Sequence, residues 1–169
     1  MFKLIKYKLR KGLLNESFNI GFRLPKQNDS LNNETINKLK NINKNDIDIE
    51  QIGDDGNNIV NLEVKIKNIP EVKDLIIVDI QIINDKLYQP HISMADSIQG
   101  LGLAPKIYVR LIEEFGHLYS GKGRVYNKNI FKVWDKLNNE SNIVCKDLDY
   151  GNICILNRNI EYLKKFGLK

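Results

Sequence analysis

The sequence is poor in the residues that mark several specialised protein classes. Its 169 residues include two cysteines, one tryptophan and five arginines. No apolar run approaches the roughly 20 residues needed to cross a bilayer, and lysines interrupt the first 13 residues, which do not resemble a secretory leader. We therefore expect a soluble cytoplasmic protein without membrane contact.

The two cysteines, Cys145 and Cys154, do not form a pattern typical of metal binding. They have no CxxC spacing, and no histidine lies near them in the sequence. Isolated cysteines of this kind behave as small apolar residues in a protein core. We predict two buried thiols and no metal site.

The positive charge says little about a partner. The net charge is +5, and 22 asparagines and 21 lysines accompany only five arginines. A nucleic-acid groove favours arginine with aromatic residues interleaved along one strip. No such strip occurs here, so we do not expect nucleic acid as a partner.

The chain has the length and apolar content of one domain, which we place at residues 1–169. Asn, Asp and Lys dominate residues 27–58, which indicates a polar, partly helical connector with a helix at 33–43. We divide the domain into a variable N-terminal part at 1–57, with strands expected at 2–9 and 17–24, a core at 58–156 and a tail at 157–169.

Hydrophobic periodicity places the elements of the core. Apolar and polar residues alternate in three stretches, which predicts antiparallel strands at 58–66, 75–83 and 87–95. The apolar period then changes to 3.6, which predicts an amphipathic helix from Ala104 to Phe115. The pattern indicates a mixed α/β fold with a mostly antiparallel sheet of about six or seven strands. The other expected elements are a strand at 118–120, a helix at 127–138, a hairpin of 143–145 with 153–156, and a short helix at 160–166.

The stretch at 97–104 joins the third of these strands to the amphipathic helix. The first turn of a helix has free backbone amides and about half a positive charge, and Gly100 and Gly102 would let a diphosphate approach the backbone. A Walker lysine and the third glycine of a dinucleotide fingerprint are missing. The stretch therefore predicts an anion site, but neither of those nucleotide-binding folds.

Two short motifs resemble the GNAT acyltransferase superfamily. Its main motif reads Gln or Arg, two residues, Gly, one residue, then Gly or Ala, and Gln99, Gly102 and Ala104 match it. Many members also carry Asn seven residues before an aromatic residue in the next helix, and Asn127 and Trp134 have that spacing. The chain also resembles a divergent, phage-encoded branch of the superfamily in the runs 107–120 and 133–137.

This resemblance implies a GNAT-like fold whose sheet is split between the Leu87 and Leu118 strands. Acyl-CoA, in the simplest case acetyl-CoA, would lie between these two splayed strands while an amine attacks the thioester. Backbone amides of residues 99–104 would hold the pyrophosphate, and the main chain of one strand would pair with the pantetheine arm. One amide of that strand would also polarise the thioester carbonyl. The implied cofactor-binding residues are Ile92, Met94, Gln99, Gly100, Gly102, Ala104 and Asn127.

The reaction needs a base, because an ammonium group must lose a proton before its nitrogen can attack. His91 is our first candidate, since it lies on the strand that would carry the thioester and imidazole titrates near working pH. Asp79 and Glu63 on neighbouring strands are the alternatives. The other histidine, His117, follows a helix-ending glycine, where it would interact with the helix dipole.

The second helix departs from the superfamily pattern. The aromatic residue there is usually a tyrosine that protonates the departing thiolate, and the indole of Trp134 cannot do so. Tyr126, or else Tyr119, would have to replace it. Two functions therefore stay open. The first is an N-acyltransferase acting on a primary amine of a small molecule or protein, and the second is an inactive GNAT-fold structural or interaction protein, such as a component of a phage particle.

Overall fold

Two antiparallel sheets are connected through one amphipathic helix. The computed structural model describes residues 23–27, 30–54, 56, 58–121 and 129–166. The strands are β1 (Ile47–Asp54), β2 (Ile59–Ile66), β3 (Ile76–Ile83), β4 (Leu87–Met94), β5 (His117–Gly121), β6 (Ile143–Leu148) and β7 (Gly151–Leu156). The α-helices are α1 (Asn33–Asn41), α2 (Leu103–Phe115) and α3 (Asn129–Asn138), and short 3₁₀ segments lie at Lys44–Asp46, Pro70–Val72, Asp96–Ile98 and Asn157–Phe166.

The first sheet has the strand order β1-β2-β3-β4, and all neighbouring strands in it are antiparallel. β3 is internal and carries apolar residues on both faces. Val78 and Ile80 are buried in the core that contains α2, whereas Ile77 and Ile83 lie on the opposite face. The three strands expected from residue alternation are therefore present, with β3 in the central position between β2 and β4.

The second sheet has the order β5-β7-β6, with β6 and β7 forming the expected hairpin. β7 is central in this sheet, and Ile153, Cys154 and Ile155 in it are almost fully buried. The two sheets contain seven described strands, and one of them, β1, is not among the strands that the sequence pattern predicts. The separation between the sheets falls between β4 and β5, the position at which the resemblance implies a split.

Helix α2 supplies the core that both sheets share. Its buried face includes Ile107, which belongs to one apolar cluster with Val78 of the first sheet and Leu156 of the second. The helix ends at Gly116, which has a φ of 86° and donates its N–H to the carbonyl of Ile112 at 2.8 Å. Glycine adopts this left-handed conformation at little cost and so ends the helix.

The polar segment at 27–58 contains a strand that residue periodicity does not predict. β1 lies at the edge of its sheet, and most of its side chains are exposed or half-buried, so polar residues cost little there. Its backbone pairs with β2 from Ile47 opposite Ile66 to Asp54 opposite Val60. This ladder, and not an apolar pattern, stabilises β1. The helix expected in the same segment is present as α1.

The strands expected in the N-terminal part fall mostly outside the described residues. The one at 2–9 lies entirely outside them. Of the one at 17–24, Arg23 and Leu24 are described, and they are not in a strand. The helix expected at 127–138 is described from Asn129 onward, and the C-terminal helix is a 3₁₀ segment. None of the described helices is long and apolar enough to cross a membrane.

Cys145 and Cys154 form a disulfide, which corrects the prediction of two thiols. They lie directly opposite each other in the β6–β7 ladder, with Cα atoms 4.1 Å apart. Opposed residues in an antiparallel pair project from the same face of the sheet. Spacing in the sequence could not reveal this contact, because it depends on the register of the hairpin.

We expect this disulfide to stabilise the fold by about 2 to 3 kcal/mol, because it closes a short loop in the unfolded chain. Reduction should therefore lower the urea midpoint of unfolding, measured by circular dichroism with and without a phosphine reductant. The Cys145→Ser/Cys154→Ser double variant should unfold at the lower midpoint under both conditions. An identical midpoint for the reduced and unreduced wild-type protein would contradict the assignment.

Candidate functional site

The two sheets meet at a seam between β4 and β5, where no backbone ladder joins the described strands. Side chains from the first half of β4 reach β5 across the seam. The imidazole of His117 stacks on Tyr88 with ring centroids 4.8 Å apart, and it bonds to the backbone of Lys86. A Cβ on Gly121 would lie 3.5 Å from Oε1 of Gln89. The seam is therefore closed at its β4 N-terminal end by side chains.

The second half of β4 directs backbone groups toward the seam, where no described neighbouring strand pairs with them. In an antiparallel pair, residues alternate between those whose N–H and C=O face the partner strand and those whose groups face away. The N–H of Ala95, just after β4, donates to the carbonyl of Leu75 on the β3 side at 2.9 Å. Counting back along β4, the backbone groups of Ile92 and Met94 face away from β3, toward the seam. The resemblance to the GNAT superfamily implies that these same two residues bind the pantetheine arm.

Pro90 gives a physical reason for the missing ladder. By the same alternation its nitrogen faces the seam, and proline has no N–H to donate. Proline is tolerated in a sheet where its nitrogen lies on an unpaired edge. β4 is thus an inner strand toward β3 and an edge strand toward β5, and a continuous ladder across the seam cannot form.

The loop that follows β4 is open to an approaching ligand at two glycines. Gly100 and Gly102 have φ values of 76° and 77°, a left-handed region that favours glycine. A Cβ built on either residue would have no heavy atom within 4 Å. The side chain of Gln99 folds back instead, and its Nε2 donates to the carbonyl of Met94 and to Oδ1 of Asp96, each at 3.0 Å. Gln99 therefore shapes the loop through its side chain.

Helix α2 begins in this loop without a side-chain cap. Gly102 is its N-cap residue, no side chain caps the first turn among the described residues, and that turn contains no acidic residue. Pro105 occupies the third helical position, which requires no N–H donor. The amides of Leu103 and Ala104 are consequently among the helical N–H groups that lack a partner within the helix. Such a helix start can bind an anion.

His91 lies on the face of the first sheet opposite α2. Its Nε2 is 3.4 Å from Nε2 of Gln89 and 3.4 Å from Oε1 of Gln81 on β3. Burial lowers the pKa of His91, and the neighbouring Asp79 carboxylate opposes part of that effect. The imidazole is therefore mainly neutral near pH 7, the form that can accept a proton.

The two alternative bases are in different surroundings. Asp79 is only 2% exposed, and Arg23 bonds both of its carboxylate oxygens, so Asp79 cannot reach a substrate amine. Glu63 is half-buried on β2, and Lys65 lies 3.5 Å from it. Of the three candidates, His91 combines a neutral form with partial exposure, which makes it the best placed to accept a proton.

Of the aromatic residues considered for proton donation, two can be placed. Trp134 packs edge-on against Tyr108 of α2, with ring centroids 6.0 Å apart, so it serves the core. The hydroxyl of Tyr119 donates to the carbonyl of Tyr150 at 2.8 Å, and burial raises the pKa of Tyr119. Tyr126 and Asn127 lie outside the described residues.

Four residues near the site were not singled out from the sequence. Pro90 could have been noticed, because proline within a strand pattern signals an unpaired edge. Gln81 and Gln89 carry no local signal, since polar residues on a strand are usually solvated. Arg23 could not have been found, because it meets Asp79 across 56 positions of sequence.

Comparison with known proteins does not extend this description. No family model matches the chain, and no curated protein matches it significantly. Among the described residues, no group of His, Cys, Asp and Glu side chains could hold a metal ion. The site therefore has to be interpreted from its own chemistry: an uncapped helix start, an unpaired strand edge and a neutral imidazole.

His117 makes stability depend on pH. Burial lowers the pKa of His117 to about 4, which is opposite to the effect expected from a helix C-terminal dipole. Between that pKa and the ordinary value of 6.5, the unfolded chain binds a proton that the folded chain does not bind. The stability that neutral His117 contributes is therefore fully present above its ordinary pKa of 6.5. It is lost as the pH decreases toward the folded-state pKa of about 4.

We expect the free energy of unfolding to fall by about 2 kcal/mol between pH 7 and pH 5 on account of His117. Urea titrations at the two pH values measure this difference. In His117→Gln the difference should shrink by most of that amount, whereas His91→Gln should reduce it less. An unchanged pH dependence in His117→Gln would show that this residue is not the cause.

Proposed function

We propose that the protein is a GNAT-like N-acyltransferase that binds acyl-CoA, most simply acetyl-CoA, at the seam and transfers the acyl group to a primary amine. The observation that carries this proposal is the combination of the opened strand edge of β4 with the open helix start that directly follows it. An extended arm with a diphosphate at one end is the kind of ligand that matches both features.

The residues present fit such a ligand. The open space at Gly100 and Gly102 leaves room for phosphate oxygens against the backbone, and the first turn of α2 supplies N–H donors. The backbone groups of Ile92 and the N–H of Met94 can pair with amide groups of an extended arm, as in strand addition, while the Met94 carbonyl accepts from Gln99. Ala104 lies in the first turn of α2, and Asn127 keeps its implied role as a contact to the arm.

The chain itself has to supply few groups for this reaction. Acyl-CoA supplies a thioester, whose acyl carbon is already activated toward an amine. His91 would accept the proton that the amine loses as the new carbon–nitrogen bond replaces the carbon–sulfur bond. A backbone N–H on the seam edge of β4 would donate to the carbonyl oxygen, an interaction worth about 3 to 4 kcal/mol in comparable sites. Tyr126 would return a proton to the thiolate, which is already a competent leaving group.

The second candidate is a GNAT-like protein that serves structure or interaction without catalysis. The observation in its favour is Trp134, which stands where the superfamily usually has tyrosine and packs into the core against Tyr108. A phage particle component is one example of such a role. Ligand binding and amine acylation, measured separately, distinguish the two candidates.

Binding is tested first, with a matched pair of glycine variants. Saturating acetyl-CoA, at roughly 100 times its dissociation constant, should stabilise the wild-type protein by about 2.7 kcal/mol. Gly102→Asp should abolish this thermal shift, because its carboxylate would compete with phosphate for the helix amides. Gly56→Asp is the control, since Gly56 has a similar φ of 74° and equally open surroundings but lies in the loop between β1 and β2.

The binding site assignment is contradicted if acetyl-CoA does not stabilise the wild-type protein, or if both aspartate variants respond to it equally. Aspartate tolerates the left-handed region, so neither variant should lose much stability of its own. Unfolding temperatures without ligand verify this point.

Transfer is tested by thiol release from acetyl-CoA over a panel of primary amines. We expect His91→Gln to lower the rate at least about 100-fold, the lower range for loss of a general base. The thermal shift with acetyl-CoA should be retained in that variant. Tyr126→Phe should reduce the rate by a smaller factor, and His117→Gln, at the closed end of the seam, should leave it near the wild-type value.

The thiol-release assay also separates the two candidate functions. A wild-type protein that is stabilised by acetyl-CoA but releases no thiol with any amine would favour the non-catalytic candidate. Unchanged rates in both His91→Gln and Tyr126→Phe would contradict these two catalytic assignments. They would not contradict the proposal that the protein is an enzyme.

A further inference from the structure

We propose that Arg23 is a positioning residue that keeps His91 neutral, because its guanidinium compensates the buried carboxylate of Asp79, which lies directly across the sheet from the imidazole. The catalytic meaning of this arrangement rests on the proposed function. The arrangement itself is a property of the folded chain, and it can be measured without any substrate.

Asp79 and His91 are direct partners in the β3–β4 ladder. Directly opposed residues in an antiparallel pair project from the same face, with Cβ atoms about 4.5 to 5.5 Å apart. Asp79 is 2% exposed and His91 is half-buried, so little water separates their charges. An uncompensated carboxylate at this position would favour the imidazolium form of His91.

Arg23 holds that carboxylate through an extensive set of bonds. Its Nε and Nη2 donate to Oδ1 of Asp79 at 2.8 and 2.6 Å, and its backbone N–H donates to Oδ2 at 3.3 Å. Nη2 also donates to the carbonyls of Leu62 at 3.1 Å and Val78 at 3.0 Å. The guanidinium is thereby fixed to both β2 and β3, and its charge stays on Asp79.

Among the described residues on this face of the sheet, Arg23 is the main charge that compensates Asp79. Gln81 and Gln89, which flank the His91 ring, are neutral. Glu63 on β2 is a further carboxylate, and Lys65 lies beside it. On β5, Tyr119 is neutral, because burial raises its pKa. Arg23 is thus the one cation that is bonded to Asp79 among the described residues.

Two consequences follow. With Arg23 in place, burial lowers the pKa of His91 and Asp79 opposes only part of that effect. Without Arg23, the imidazolium of His91 becomes the nearest cation to a buried carboxylate, and the pKa of His91 should rise by one unit or more. The base would then be protonated over a wider pH range, and acyl transfer would need a higher pH.

The test is an NMR titration of the imidazole Cε1–H signals in the protein without ligand. The sequence contains only two histidines, so His91→Gln assigns both signals. We expect Arg23→Gln to raise the His91 midpoint by about one unit or more, and Arg23→Lys to restore a value near the wild type. Lys26→Gln is the matched control, because it breaks an ion pair of the same segment with Asp74 and should not move the midpoint.

Two further variants keep the proposal falsifiable if Arg23→Gln does not fold. Asp79→Asn alone should lower the His91 midpoint, since the carboxylate that favours imidazolium is gone. Arg23→Gln/Asp79→Asn, which removes both charges, should not show the rise expected for Arg23→Gln. An unmoved midpoint in folded Arg23→Gln, or a raised midpoint in Asp79→Asn, would overturn the proposal.

The outcome is separable from that of the proposed function. If the protein does not bind acetyl-CoA but the titration behaves as expected, the charge arrangement stands and the enzyme assignment fails. If the protein is an active acyltransferase, the acid limb of its pH–rate profile should move to higher pH in Arg23→Gln by the same amount as the NMR midpoint. A profile that does not move would show that Arg23 does not affect the pKa of the catalytic base.

Discussion

The structure of the candidate site depends on the point where the backbone ladder stops between β4 and β5. Buried backbone N–H and C=O groups normally pair, because an unpaired group costs free energy when it is shielded from water. Here Pro90 removes one donor at the seam, and α2 carries the chain over the core before β5 begins. The backbone groups of β4 that no described strand pairs at the seam are a consequence of that interruption.

Neighbouring residues of β4 then contribute different groups to the candidate site. Ile92 and Met94 direct their side chains into the core and their backbone groups toward the seam, whereas His91 directs its side chain to the opposite face. Residues 91, 92 and 94 of this one strand therefore supply both the backbone edge and the proton acceptor that the proposed function requires. The alternation of a β-strand makes this possible without any loop rearrangement.

The polar face around His91 shows how such a group can be kept in a useful protonation state inside a sheet. Asp79 is buried on a central strand, where a lone carboxylate would be costly. Arg23 compensates it and at the same time ties the segment before α1 to β2 and β3. The same segment reaches the open loop, because Oε1 of Gln27 accepts the N–H of Asp96 at 3.0 Å. One short stretch of chain therefore connects the polar face with the glycine loop that follows β4.

Much of the core follows from local pattern. β2, β3, β4 and α2 lie where residue alternation and the 3.6-residue period predict them, because burial of one face is written directly in the order of side chains. The glycines of the loop and the start of α2 at Gly102 are local as well, since they depend on backbone conformation at single residues. These signals were sufficient to place the open loop at the end of β4.

The sequence by itself thus determined the strands and helix of the core and the position of a glycine loop at a helix start, which are short-range properties of the chain. Only the tertiary structure decided the edge strand β1, the disulfide between Cys145 and Cys154, and the ion pair of Arg23 with Asp79. Each of these depends on strand register or on contacts between distant segments, and neither residue type nor local spacing encodes which partner a buried charge or a thiol will meet.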